Sequence, residues 1–271
     1  SSHTLLLASR LDDTLELADP GAKLYFYRFG TFSRAPVSFF ANTFSVTNRR
    51  EFQAYSVELQ HLFAAPRNTV VVGARYQNGS VDSRATVDNP FNFPTLIAEQ
   101  DLSGRLGRFN IYGYDQFKVC DPLWLIGGVS YDWIEFPRNV DIAPLDADET
   151  SRALVSPKAG LIWSPRPDTH LRAAYTRSLG GLSYDNSVRL EPSQVAGFNQ
   201  AFRSLVPEAE AGLVPGQRFE TWNVALEHAF KRTGTYLSIS AEQLESDATR
   251  TIGIITNLTF GVADSPAATR Q

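Results

Sequence analysis

The residue types that most often carry out catalysis or bind metals are sparse in this chain and follow no recognised motif. The sequence contains no G-x-S-x-G, P-loop, C-x-x-C or H-E-x-x-H pattern. A Ser/His/Asp set assembled across strands is the remaining enzymatic alternative. We predict that the chain is not an enzyme and holds no cofactor. Its four histidines are isolated from one another and lack the spacing of metal ligands: His3, His61, His170 and His228.

Acidic side chains cluster at residues 146–149 and 208–210, where carboxylate oxygens could coordinate a calcium ion. Charges in polar loops are usually only solvated, so we predict no metal site. The single cysteine, Cys120, has no partner for an internal disulfide. It is assigned no role.

Seven charged residues fall out of phase with the apolar residues around them. An Arg or Lys that faces lipid near the bilayer midplane costs about 2–4 kcal/mol, so these charges are expected to face inward. Glu58 and Arg75 carry opposite signs and can pair, whereas Lys158 and Arg172 cannot. The alternative is that these charges only stabilise a solvated wall. The residues predicted to line a lumen are Glu58, Arg75, Asp132, Lys158, Arg172, Glu227 and Glu242.

These residues lie in long segments of alternating polarity that short turns join in pairs, which is the pattern of β-hairpins. Short turns at one end and long polar loops at the other are typical of outer-membrane barrels. Further strands are predicted at residues 4–11, 15–18, 23–29, 37–47 and 252–262, which with the eight arms of the hairpins gives about twelve or thirteen strands. The predicted hairpins are residues 51–64 with 67–77, 102–119 with 123–136, 154–163 with 169–177, and 218–230 with 235–245, separated by loops 78–101, 137–153 and 178–217.

Within the arms, apolar side chains fall on one face and polar side chains on the other. In the first hairpin, for example, Val57 and Leu59 alternate with Ser56 and Glu58. A soluble β-sandwich also alternates, but its strands are usually about 5–6 residues long and its loops are not sorted by end. The pattern therefore favours a membrane barrel. In the arm at residues 102–119, apolar and polar residues do not alternate regularly, so the sequence does not predict which of its side chains face lipid.

Composition agrees with this prediction. Hydrophobic residues make up 43% of the chain and charged residues 20%, and no apolar run is long enough for a transmembrane helix. The net charge of −4 offers no basic face for nucleic acid. We predict a single barrel domain over residues 1–271, truncated at both ends, because the chain has no signal peptide and a barrel must close its edges.

Two stretches of sequence carry a family resemblance. SPKAGLIWSP at residues 156–165, followed by HLRAAYTRS at residues 170–178, resembles a hairpin of the barrel in TonB-dependent outer-membrane receptors. LIGGVSYD at residues 125–132 resembles another strand of the same barrels. RLEPSQVAGFNQ at residues 189–200 is similar to a loop in barrels that are fused to tetratricopeptide repeats in proteobacterial outer-membrane proteins.

The resemblance implies an all-β, antiparallel, transmembrane up-and-down β-barrel in the bacterial outer membrane, surrounded by its lipid. It also implies transport of a solute across that membrane, with the TonB system as a possible partner. The plug domain and TonB box of such receptors, and the helical repeats of the fused relatives, are absent from this sequence. The loop at residues 178–217 is the candidate for ligand contact or pore occlusion, through Tyr184, Phe198 and Phe202.

Two other functions remain open. The barrel could be half of a repeat-fused exporter of a polymer such as exopolysaccharide, or of a surface assembly protein. A soluble β-sandwich that binds carbohydrate is the second alternative. The substrate and the direction of transport are not encoded in any motif of the sequence.

Overall fold

A computed structural model describes residues 1–24, 42–88, 96–140, 145–180, 189–200, 216–256 and 259–270. Every regular element in these ranges is a β-strand, and none of them contains a helix long and apolar enough to cross a membrane. The strands are β1 (Ser2–Leu24), β2 (Asn42–Ala65), β3 (Asn68–Asp88), β4 (Leu96–Cys120), β5 (Leu123–Asn139), β6 (Asp146–Arg166), β7 (Thr169–Leu179), β8 (Gln194–Val195), β9 (Phe198–Asn199), β10 (Arg218–Phe230), β11 (Thr235–Thr256) and β12 (Thr259–Arg270).

Ten of these strands form one antiparallel sheet in the order β1-β2-β3-β4-β5-β6-β7-β10-β11-β12. Each strand therefore pairs with its neighbour along the chain, apart from the step between β7 and β10, where β8 and β9 form a separate small hairpin. Among the described residues the sheet is open, with β1 and β12 at its edges. The predicted all-β, up-and-down architecture is confirmed.

The four predicted hairpins are present, with short turns. Residues 66–67 join β2 to β3, residues 121–122 join β4 to β5, and residues 167–168 join β6 to β7. Residues 231–234 join β10 to β11. Because consecutive strands run antiparallel, all four turns lie at the same end of the sheet, hereafter the short-turn end.

The strands continue well past their apolar portions, so the predicted loops were too long. The pairing of β2 with β3 runs without interruption from Asn68 to Asp88, although residues 78–88 were predicted as loop. Backbone hydrogen bonds hold a ladder together whatever the side chains are. The apolar pattern used for prediction ends earlier, where the outward side chains become polar.

Two predicted boundaries near the ends were wrong. Residues 4–11 and 15–18 belong to one strand, because the pairing of β1 with β2 is continuous from Ser2 to Asp19. Residues 252–262 are not one strand, since β11 ends at Thr256 and β12 starts at Thr259 and pairs back onto it. The predicted strands at residues 23–29 and 37–47 lie partly outside the described residues.

One face of the sheet, the outer face, carries a band of exposed apolar side chains next to the short-turn end. On β2 this band runs from Tyr55 to Phe63, and the outward residues before it, Glu51 and Gln53, are polar. A tilted strand needs about 9–11 residues to cross a bilayer, which is the length of the band. Its other members include Val72, Tyr76, Phe109, Ile111, Leu125, Val129, Val155, Trp163, Trp222, Val224, Phe230 and Ile239.

The sheet is strongly curved. β5 and β11 are four positions apart in the strand order, which in a flat sheet corresponds to about 19 Å. Their Cα atoms nevertheless approach within 8 Å. The opposite, inner face is therefore concave.

Residues 189–200, hereafter the inner hairpin, lie against this concave face. Its two short strands are joined by Ala196 and Gly197, whose φ angles are 51° and 84°. Two successive positive φ values define a type I′ turn, the preferred two-residue connection of a tight hairpin. Val195 and Ala196 are buried against the sheet, so the loop between β7 and β10 folds inward.

Candidate functional site

Four of the charged residues predicted to line a lumen are almost fully buried on the inner face. Glu58 is 1% exposed, Arg75 and Asp132 are each 3% exposed, and Lys158 is 4% exposed. They alternate along their strands with exposed apolar residues of the outer face, as the pleat of a strand requires. The inner face is therefore polar at the level where the outer face is apolar.

Charged and amide side chains form a row across four neighbouring strands. Glu58 lies opposite Arg75 in the register, Arg75 opposite Asn110, and Asn110 opposite Asp132. The Glu58 carboxylate is 3.8 Å from Nε of Arg75, and Arg108 donates to Oδ1 of Asp132 at 2.7 Å. Buried charges are costly unless they are paired, and here opposite signs lie side by side.

The remaining three predicted residues lie further along the sheet. The Arg172 guanidinium forms an ion pair with the Glu227 carboxylate, and both side chains are partly buried. Glu242 lies opposite Asn223, a buried residue of the inner face, but is itself exposed. The sequence therefore identified residues of one face, although it could not tell which of them are covered.

Glu58 is the main attachment point of the inner hairpin. Its Oε2 accepts the backbone N–H of Leu190 at 2.9 Å, and its Oε1 accepts the backbone N–H of Glu191 at 3.0 Å. The hydroxyl of Tyr112 also donates to Oε1, at 2.8 Å. An ionised carboxylate is an acceptor only, and charge-assisted bonds of this kind are about twice as strong as neutral ones.

Glu191 reaches back from the hairpin to the wall in the same way. Its Oε1 accepts the Tyr114 hydroxyl at 2.7 Å and lies 4.0 Å from Nζ of Lys158, and its other oxygen is paired with Arg189. The Lys158 ammonium also donates to Oγ of Ser130 at 2.9 Å. The sheet thus contributes one carboxylate, Glu58, that accepts hydrogen bonds from the hairpin. The hairpin contributes another, Glu191, that accepts a hydrogen bond from the sheet.

Two glutamines complete the attachment. Nε2 of Gln60 donates to the carbonyl of Leu190 at 2.5 Å. Nε2 of Gln200 donates to the Tyr114 hydroxyl at 2.9 Å and to the carbonyl of Pro192 at 2.6 Å. The backbone of the hairpin therefore finds hydrogen-bond partners inside the sheet, as a buried loop must.

A glycine lets the hairpin approach the wall closely. A Cβ atom placed on Gly160 would lie 2.8 Å from Cγ1 of Val195 and 3.0 Å from Cβ of Ala196. Contacts this short do not occur in well-packed structures, so any larger residue at position 160 must displace the hairpin.

Of the three aromatic residues predicted in the long loop, the structure describes one. Phe198 lies in the inner hairpin with its ring 5.1 Å from the Arg172 guanidinium carbon, a cation–π contact. Arg172 also lies within 3.5 Å of the Ala196 carbonyl, to which it donates. Tyr184 and Phe202 lie outside the described residues.

The sequence analysis missed the residues of β4 that hold the hairpin. Tyr112 and Tyr114 are buried on the inner face, while Phe109 and Ile111 are exposed on the outer face. Counting the alternation from Phe109 and Ile111 would have placed both tyrosines inside, next to Arg108. The period was not recognised because Tyr112 and Tyr114 do not sort cleanly against the polar residues Asp115 and Gln116 that follow them.

The candidate calcium ligands are not brought together. Within the described ranges, no three His, Cys, Asp or Glu side chains converge as a metal site requires. Asp146 is 3.5 Å from the Arg138 guanidinium, and Asp148 and Glu149 are exposed. Residues 208–210 lie outside the described residues.

The arrangement therefore offers donors, acceptors and charges of both signs on a concave surface that a hairpin partly fills. Such a surface can hold hydrated or polar solutes, because polar groups that leave water need replacement hydrogen bonds.

Several solved structures are similar to this chain. The FpvAI–pyocin S2 complex matches with a TM-score of 0.52 and 12% identity, covering 98% of this chain and 34% of that chain. The copper transporter OprC matches with a TM-score of 0.49 and 12% identity, covering 83% of this chain and 35% of that chain. The ferric-catecholate import receptor Fiu of E. coli K12, in its open form, matches with a TM-score of 0.42 and 13% identity. The match covers 83% of this chain and 37% of that chain.

The chain thus spans about a third of the length of these proteins. At 12% identity, the match to the FpvAI–pyocin S2 complex shows the fold alone. No curated protein sequence matches it. A family comparison is more extensive, because the family described as "TonB dependent receptor-like, beta-barrel" matches residues 2–240 of the 271. The chain belongs to the TonB-dependent receptor-like β-barrel family.

Proposed function

We propose that this chain forms part of the wall of an outer-membrane barrel that carries a polar solute across the membrane, with energy supplied by the TonB system. One observation carries the proposal. The outer face exposes apolar side chains over the same stretch of strand in which the inner face buries charges, which is the arrangement that suits lipid outside and a polar path inside.

The inner hairpin is the constriction of that path. It lies beside Glu58 and Lys158, at the level of the exposed apolar residues Val57 and Val155, and so within the part of the barrel that lipid would surround. Polar bonds rather than a continuous strand pairing attach it to the wall. A solute that offers its own charges can compete for these bonds.

The charges beside the hairpin have both signs, which favours a polar or zwitterionic solute over strict selection of anions or cations. Copper and a ferric catecholate, the cargoes named for two structural neighbours, are suitable first probes. The alternative, export of a polymer, is favoured by the likeness of residues 189–200 to a loop of repeat-fused barrels.

The first test is the location and closure of the full-length protein. After expression in a Gram-negative host and separation of inner and outer membranes, we expect it in the outer-membrane fraction. On a gel it should migrate faster unboiled than boiled. A soluble protein without this shift would contradict the proposal and support a β-sandwich.

The second test addresses energy coupling. The full-length receptor, solubilised from outer membranes, is mixed with the purified C-terminal domain of TonB and with a control protein of similar size and charge. Specific binding to the TonB domain supports import. A heat-modifiable barrel that shows no such binding contradicts TonB coupling and favours the exporter.

A further inference from the structure

Two strands of the sheet end in the same arrangement of side chains. On β2, His61 precedes Phe63, and on β10, His228 precedes Phe230. The two rings of the first pair have centroids 4.5 Å apart at 66°, and those of the second pair are 4.4 Å apart at 80°, so both pairs are edge-to-face. Both pairs lie on the outer face, at the short-turn end.

Each histidine is also held by a threonine directly opposite on the neighbouring strand. Nδ1 of His61 is 2.8 Å from the Thr4 hydroxyl, and Nδ1 of His228 is 2.9 Å from the Thr169 hydroxyl. The Thr169 hydroxyl also lies 3.4 Å from Oδ1 of Asp168, but its contact with the histidine is the shorter, so we assign its proton to Nδ1. With the hydroxyl as the donor in both modules, the ring proton is on Nε2. The described residues give neither histidine a further polar contact, so Nε2–H can donate to an external acceptor.

Basic residues surround these two modules at the short-turn end. Arg67 follows the first module in the turn after β2, and Lys231 and Arg232 follow the second directly. The backbone N–H of Lys118 donates to the Arg67 carbonyl at 2.8 Å, so another basic residue lies at this rim, at a strand position that alternates onto the inner face. The rim also includes Arg166, at the end of β6.

Acidic residues at this rim are few. Lys118 donates to the Asp121 carboxylate at 2.9 Å and holds the pKa of that carboxyl below its ordinary value, so this charge is already compensated. Asp168 lies in the turn after β6, and Asp115 is exposed on the outer face of β4. The basic residues at this end outnumber these two, so the rim is positively charged next to a band of exposed apolar side chains: Arg67, Arg166, Lys231 and Arg232.

We propose that the modules His61–Thr4–Phe63 and His228–Thr169–Phe230 are binding sites for the phosphate groups of anionic phospholipids. In each, the phenylalanine lies among the acyl chains, the histidine Nε2–H donates to a phosphate oxygen, and the nearby turn supplies positive charge. This inference rests on the proposed membrane barrel.

Phospholipid is the occupant that fits both halves of the site. The exposed rings of Phe63 and Phe230 require an apolar environment, and the basic turns require an anion immediately beside it. A basic residue at an anionic membrane surface contributes about 1 kcal/mol, which is roughly a fivefold enrichment of the anionic lipid. Free inorganic phosphate satisfies the second requirement but not the first.

The test measures which lipid the full-length protein retains. It is reconstituted into vesicles of equal parts phosphatidylglycerol and digalactosyldiacylglycerol, a neutral bilayer lipid without phosphate, extracted gently with detergent, and its bound lipid is quantified by mass spectrometry. We expect phosphatidylglycerol to be enriched more than about fivefold over the galactolipid, which is the factor that one basic residue alone would give. The double variant His61→Leu with His228→Leu should lose at least half of this enrichment.

The chain offers a matched control. Nδ1 of His170 is bonded to the Ser164 hydroxyl at 2.8 Å near another short turn, but this histidine alternates onto the inner face. His170→Leu should therefore leave the enrichment unchanged. Replacing both outer histidines with glutamine, which keeps a side-chain N–H donor, should restore most of it.

Each outcome decides the matter. A heat-modifiable wild-type protein that retains both lipids equally overturns the phosphate sites and leaves the proposed function standing. Enrichment that survives the double leucine variant also overturns them, because the basic turns alone would then account for it. A protein that is not heat-modifiable overturns the barrel and the sites together.

Discussion

At Glu58, one buried carboxylate holds two successive backbone amides and a phenol. Water is excluded from this residue, so its bonds are stronger than the same bonds at the surface. The amides belong to a segment more than 130 residues away along the chain. Glu58 therefore fixes the start of the inner hairpin against the sheet.

We expect Glu58→Gln to loosen the inner hairpin. The glutamine NH₂ group would face the N–H of Leu190 or Glu191, two donors with no acceptor between them. Loss of charge-assisted bonds costs about 1.5–3 kcal/mol each, which corresponds to at least a tenfold rise in the fraction of open pores. The measurement is single-channel conductance of the full-length protein in planar bilayers.

Glu242→Gln is the control for this variant, because Glu242 shares the inner face but is exposed. It should conduct like the wild type. Equal conductance in Glu58→Gln and wild type would show that the hairpin does not limit the pore.

Arg75 tests whether the row of charges selects solutes. Arg75→Leu removes the positive charge between Glu58 and Asp132, so we expect the pore to become more permeable to cations. The reversal potential under a KCl gradient reports this change. Arg84→Leu on the same strand is the control, since Arg84 is exposed and paired with Glu99.

An unchanged reversal potential in Arg75→Leu, with heat-modifiability preserved, would mean that the inner charges only stabilise a solvated wall. The inner charges would then have no role in ion selection.

At the scale of the element, the inner hairpin packs closely on the sheet because Gly160 has no side chain. We expect Gly160→Val to push Val195 and Ala196 away, at a cost typical of overpacking, about 1–3 kcal/mol. A cysteine at position 195, in a Cys120→Ser background, should then react with a thiol reagent several times faster than without the valine.

Gly127→Val provides the comparison. A Cβ at Gly127 meets nothing within 4 Å, and this residue faces outward on β5. In the Gly127→Val variant, the cysteine at position 195 should react with the thiol reagent at the same rate as in the protein that has both glycines. If both glycine variants behave alike, the close approach at Gly160 does not hold the hairpin.

The elements were predictable from sequence where apolar alternation and turn residues coincided. β10 and its turn to β11 were predicted at their observed bounds. Glu58 and Arg75, whose opposite signs allow a pair, lie opposite each other in the register. The strand ends away from the turns were not predictable. Outside the apolar band both faces of a strand are polar, so apolar and polar residues no longer alternate in a way that distinguishes a strand from a loop. The attachment of residues 189–200 was not predictable either, since it depends on contacts more than 80 residues apart.

At the scale of the whole molecule, the apolar band defines where lipid should surround the sheet. Val57 lies within the band on β2, whereas Gln53 lies beyond it. We expect Val57→Arg to reduce the free energy of unfolding in vesicles by about 2–4 kcal/mol and Gln53→Arg by about 0–1 kcal/mol. Urea titration monitored by the unboiled band measures both.

Similar losses in the two arginine variants would contradict the assigned position of the bilayer. A larger loss in Gln53→Arg would move the lipid-facing band toward the long-loop end.

The long strands have a consequence beyond the membrane. On β2, residues 42–54 precede the apolar band, which at a 45° tilt corresponds to a collar that stands roughly 30 Å clear of the lipid. The part of this collar that the structure describes is a hydrogen-bonded extension of the sheet, because the pairing of β2 with β3 continues through it. Antibodies raised against intact cells should recognise a conformational epitope that disappears on boiling.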